Sequence, residues 1–167
     1  MSAGDFLGLP VPDAGPVFTA ALIVHIGCGL TAVIAGALAA AARKGSGRHP
    51  AAGHVYLWAI GGVFATATIM AAIRWRHDWH LLLIGTIAFA LALTGYRARR
   101  HQRAGWPTRH AVAMGSSYVA LFTGFYVDNG PSLPLWNRLP HTAYWFLPAV
   151  IGAPLILFAL RRFNRGT

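Results

Sequence analysis

Five long apolar stretches without a formal charge alternate along the chain with short polar connections: Val17 to Ala42, Val55 to Ile73, Trp79 to Tyr96, His110 to Val127 and His141 to Leu160. A helix needs about 17 to 25 residues to cross a hydrocarbon core. All five meet that length or come close, the third and fourth being the shortest. The pattern predicts an all-α fold, a polytopic transmembrane bundle of five spans. Within it, a tail of residues 1–16 precedes a single five-helix domain (17–160), and a basic tail (161–167) follows.

Small and polar residues predict which helix faces meet, because lipid gives no hydrophobic reward for helix contact and close backbone approach must supply it. On the first span His25, Gly29, Ala32 and Gly36 share a face. On the second, His54, Trp58, Gly61, Ala65, Thr68 and Ala72 do so. The third has Gly85, Ala88, Ala92 and Gly95, with Asp78 beneath. The fourth has His110, Met114, Ser117, Gly124 and Asp128, flanked by Ala113 and Ala120. Pro140 precedes the fifth span at a position a first turn tolerates. Pro148 and Pro154 lie inside it and each removes a backbone donor. In lipid the freed carbonyls must be satisfied by neighbours, so this span is expected to bend and to pack on the bundle there. Asn129, Gly130 and Pro131 read as a turn closing the fourth span.

Charge adds a direction. The 167 residues are 56% hydrophobic and 11% charged, with fourteen Lys and Arg, four Asp and no Glu. The basic residues form no stripe that would suit nucleic acid; they cluster between the apolar runs. Eleven fall in the first and third connections and the C-terminus, and only Arg74, Arg76 and Arg138 on the other side, where all four Asp also lie. Positive residues accumulate on the cytoplasmic side, so the N-terminus is expected outside and the C-terminus inside. Trp75, Trp79, Trp136 and Trp145 mark the outer border, and Tyr56, Tyr96 and Trp106 the inner one. The first sixteen residues lack the basic region of a secretory signal, so the first span is taken as a mature helix. Abundant Ala, Gly and Arg suit a GC-rich bacterial genome, and the expected location is the bacterial inner membrane, multi-pass.

Candidate chemistry is sparse. Cys28 is the single cysteine, which excludes a disulfide framework and a covalent haem motif. There is no Gly-x-Ser-x-Gly elbow, no His-Glu-x-x-His and no phosphate-cradling loop. Eight histidines remain, with His49, His54, His101 and His110 on the inner side, and His77, His80 and His141 on the outer. His54 and His110 begin their spans at similar depth, as two imidazoles on one haem b or transition metal would require, and Met114 lies one turn beyond His110. Packing and capping explain the same residues without a cofactor. His25 is ionisable and inside a span, where such a residue marks function by default. A hydrogen bond to a neighbouring helix is the bland alternative. Asp128 and Asp78 are candidate partners of the outer histidines in a proton or cation site, and His25 with Asp128 is the candidate centre of a proton or small-solute carrier.

The stretch RHPAAGHVYLW (Arg48 to Trp58), with His49, Gly53, His54 and Tyr56, is similar to the HRxxGRxY pattern of an uncharacterised bacterial family of predicted membrane proteins bearing a domain of unknown function. The stretch Met114 to Trp136 resembles that family's fourth span and following loop. With His25 the resemblance runs over most of the chain. Pro50 and His54 stand where the family usually has Arg, so no role of those arginines carries over. The resemblance implies a small inner-membrane bundle and no reaction. The function expected is an accessory or interaction subunit, or one with a polar intramembrane site, in contact with the bilayer and with other membrane subunits or further copies of itself. The alternatives are a haem- or metal-binding redox protein and a carrier around His25.

Overall fold

The computed structural model describes residues 14–42, 47–134 and 136–164, together with Asp5–Phe6 and Leu9–Pro10, which pair antiparallel. Most of the N-terminal tail, and Arg43, Lys44 and Arg165 of the basic clusters, lie outside the described residues. Five helices account for nearly everything else: α1 (Pro16–Ala41), α2 (Arg48–Ile73), α3 (Trp75–His101), α4 (Trp106–Asn129) and α5 (His141–Asn164). Short 3₁₀ turns, Gly130–Ser132 and Trp136–Arg138, bridge α4 and α5.

Local chemistry sets the ends. Prolines sit in the first turns of α1 and α4, where the missing N–H has no intrahelical partner to lose. α3 stops where Gln102 turns left-handed at φ 46°, and α4 starts after Gly105 at φ 73°, a conformation glycine adopts without steric penalty. Asn129 closes α4 by donating from its side chain to the Phe125 carbonyl at 3.0 Å, in line with the turn expected there. Between α2 and α3 only Arg74 intervenes. Its guanidinium lies 5.4 Å from the Phe18 ring centre and 3.9 Å from the Asp78 carboxylate.

Helices of 24 to 27 residues are about 36 to 40 Å long, more than a hydrocarbon core of about 30 Å requires. Among the described residues, α1, α2, α3 and α5 are both long and apolar enough to cross a membrane. α4 has the length but is more polar. The helices also outrun the charge-free stretches, most clearly α2, which begins at Arg48 rather than near Val55.

Each helix packs on the next in sequence, and α1 also touches α4. The largest core cluster is built of small residues around one aromatic: Ala32 and Ala35 of α1, Tyr56, Ala59, Ile60 and Val63 of α2, and Ala88 and Ala92 of α3. The expected stripes hold for α1 and for α3, where Gly85, Ala88, Ala92 and Gly95 are all buried. On α4, Ser117 and Ala113 are buried and Asp128 is exposed.

On α2 the expected face is reversed. His54, Trp58, Ala65, Thr68 and Ala72 are exposed, Trp58 by 81%, while Tyr56, Ile60, Val63, Thr66, Ala67 and Met70 face inward. The outward hydroxyl of Thr68 donates to the Phe64 carbonyl one turn back, so it carries no unmet bond into lipid. Both prolines lie within α5 as expected; Pro148 is buried in the bundle and Pro154 faces out.

Candidate functional site

Polar side chains inside the bundle are joined helix to helix. At the centre, Ser117 of α4 donates to the Ala88 carbonyl of α3 at 2.7 Å. Its single proton is thereby committed, so the Tyr56 hydroxyl of α2, 2.7 Å away, is the donor to the Ser117 oxygen. Tyr56 and Ser117 are 2% and 0% exposed. One directed chain of bonds therefore ties three helices, in a medium where an unmade bond is expensive. Tyr118 completes it by donating to the Val33 carbonyl of α1 at 2.8 Å, with its ring lying where a Cβ on Gly36 would be.

Tyr56, expected as an aromatic of the inner border, is turned into the helix contacts and belongs to the core. Its signal in the sequence was a hydroxyl-bearing ring in the second span and a serine in the fourth, which no spacing rule connects.

His25 bonds through Nδ1 to the Thr66 hydroxyl of α2 at 2.9 Å. The Thr66 proton is directed at the Gly62 and Val63 carbonyls, 2.7 and 3.0 Å away, which makes the ring nitrogen the donor and His25 an interhelical tie. Asp128 lies elsewhere, within electrostatic reach of Asp78, His80 and Arg74 at the α2–α3 turn. The structure thus gives His25 a threonine partner and Asp128 a separate, mixed-charge neighbourhood.

Four of the eight histidines lie toward the opposite end, and three have carbonyl partners. His49 donates from Nδ1 to the Ala39 carbonyl at 2.8 Å, satisfying an acceptor in the last turn of α1. His110 does the same to the Gly95 carbonyl of α3 at 2.9 Å, and His54 to the Pro50 carbonyl of its own helix at 2.9 Å. The ring beside His110 is that of His49, with centroids 6.1 Å apart, and Trp106 also flanks it at 6.4 Å. His54 instead has the Tyr96 ring at 5.8 Å. Met114 packs on Gly95, its sulfur close to where a Cβ would stand. His110, Met114 and Gly95 therefore form one corner, with His49 as the histidine that spacing did not single out. Among the described residues, no three His, Cys, Asp or Glu side chains gather into a metal-binding group.

The two stretches that carried the family resemblance meet in space, through the Tyr56–Ser117 bond and the Tyr56 and Tyr118 rings 6.1 Å apart. Compared with models of known families, with curated proteins and with solved structures, the chain has no match.

Proposed function

We propose that the chain is a five-span bacterial inner-membrane protein, N-terminus outside and C-terminus cytoplasmic, acting as an accessory or interaction subunit. With that goes membership of the family that Arg48–Trp58 and Met114–Trp136 resemble. The observation carrying the reading is that the polar groups at the helix contacts are engaged with one another. Among the described residues, every buried side-chain nitrogen or oxygen has a hydrogen-bond partner. Such a bundle presents its outer surface, rather than an interior site, to the rest of the membrane.

Counting α4 as a span is supported by where its polarity goes: Ser117 and Tyr118 bond to α3 and α1, and Thr123 to the Val119 carbonyl of its own helix. The 11 to 3 bias of basic residues supports the orientation. A reporter fused after Thr167 is expected to be active only in the cytoplasm; periplasmic activity would refute the odd span count. In-membrane crosslinking followed by mass measurement is expected to give a species larger than the monomer. A monomer alone would sink the interaction role.

A haem- or metal-binding redox role through His54, His110 and Met114 is the second reading. It is favoured by one observation: His49 and His54 each donate Nδ1–H to a backbone carbonyl, the arrangement that orients a histidine to ligate through Nε2. An absorption spectrum and metal analysis of pure protein decide it. No Soret band and no stoichiometric metal would remove it.

A further inference from the structure

A cleft of about 640 Å³ opens on the outward surface between Val24, Gly27 and Thr31 of α1 and His54, Val55 and Trp58 of α2. Its volume is in the range of about 300 to 1,000 Å³ usual for sites that take small molecules. The walls are almost wholly apolar, because the one hydroxyl among them, on Thr31, is turned onto the Gly27 carbonyl at 2.8 Å. Trp58 stands out beside the cleft as a flank, 81% exposed.

One end of the cleft is of different character. His54 closes it, the Tyr96 ring lies 5.8 Å from the His54 ring, and Arg100 donates to the Tyr96 hydroxyl at 3.2 Å. An imidazole, a phenol and an exposed guanidinium thus gather at the mouth of an apolar slot. No carboxylate side chain is at hand to neutralise them. The sequence has no Asp or Glu in 14–77, 79–127 or 129–167, and Asp78 and Asp128 stand at the far ends of α3 and α4. No side chain of the sequence supplies the counter-charge, and an anion from outside the chain can.

We propose that this cleft binds an anionic phospholipid, with one acyl chain laid along Gly27 and Trp58 and the phosphate held by Arg100 and His54. The proposal rests on the membrane reading, but not on an accessory role or on which end faces the cytoplasm. The apolar length and the cationic end match the polarity of such a lipid in order and in sign. A second copy of the chain would fill the slot but would leave the guanidinium without an anion.

Native mass spectrometry of the full chain in mild detergent, exchanged against an equal mixture of phosphatidylglycerol and phosphatidylcholine with identical acyl chains, tests it. Wild type is expected to retain phosphatidylglycerol about fivefold over phosphatidylcholine, the scale of one basic residue at an anionic headgroup. Arg100→Gln is expected to abolish that preference. Gly27→Leu is expected to abolish retention of either lipid while melting like wild type, since a Cβ at Gly27 meets nothing within 4 Å. Should Gly27→Leu fail to fold, Trp58→Ala, which removes an exposed flank, is expected to lower retention in its place. Equal retention of both lipids by wild type overturns the proposal, as does a preference that survives Arg100→Gln. A wild-type dimer that Gly27→Leu converts to monomer would put a second copy in the cleft and overturn it too.

Discussion

The first four helices and the fifth are held together by different physics. α1 to α4 are joined by directed side-chain bonds: His25 to Thr66, Tyr56 to Ser117 to Ala88, Tyr118 to Val33, His49 to Ala39 and His110 to Gly95. α5 meets α4 through shape instead, with Val119 against Gly152 and Ile156 against Gly115. Its Tyr144 hydroxyl donates to Trp136 and Leu139, in the segment just before it. Lipid is as apolar as leucine, so among the described residues α5 is held by close packing, whereas the other four gain bonds for which lipid offers no substitute. The contrast makes α1 to α4 the firm body of the molecule and α5 its detachable edge.

The sharpest test of the firm body is Gly36→Leu. Its side chain would occupy the place of the Tyr118 ring and displace the Val33 bond, and unfolding in a detergent titration is expected to be easier by about 3 kcal/mol. A loss near zero would show that Tyr118 has somewhere else to go. Ser117→Ala comes next, at about 2 kcal/mol, because it strands the buried Tyr56 hydroxyl and the Ala88 carbonyl's second bond together. Tyr56→Phe should cost less than Ser117→Ala, since Ser117 keeps its own acceptor; the reverse order would contradict the assigned bond direction.

Gly152→Val addresses the edge. It is expected to cost about 1.5 kcal/mol and to lengthen a spin-label distance between α4 and α5 while distances within α1 to α4 hold. If both sets of distances change together, the division between body and edge fails. The smallest effect is expected from His25→Ala, at about 0.6 kcal/mol, because Thr66 retains the Gly62 and Val63 carbonyls. A loss of 2 kcal/mol or more in the same titration would give His25 a larger structural role.

The places where sequence reading succeeded and failed follow from what a pattern can carry. Charges punctuate the chain, so all five helices were legible, and Gly85, Ala88, Ala92 and Gly95 declared the buried face of α3 because only small residues let helices approach. On α2 the stripe of His54, Trp58 and Thr68 reads as costly to expose, yet it faces outward. In a helix the threonine hydroxyl satisfies itself on the preceding turn, and a tryptophan can face lipid. Sequence shows depth but not azimuth, so nothing in it turns Tyr56 toward its partner Ser117, 61 residues away. Depth pairs His54 with His110, and the structure adds His49, whose ring stands beside that of His110 from the first turn of an α2 that starts earlier than its apolar stretch.

The single-residue turn at Arg74 has a consequence for biogenesis. With one residue of connection between α2 and α3, the two helices are expected to enter a bilayer as one hairpin. In the proposed orientation its tip, carrying Arg74, Arg76 and Asp78, must be translocated. The Arg74 and Asp78 side chains, 3.9 Å apart one turn from each other, make the passage with one charge partly cancelled by its neighbour. Lengthening this turn would uncouple the two helices during insertion, even where the finished bundle is unchanged.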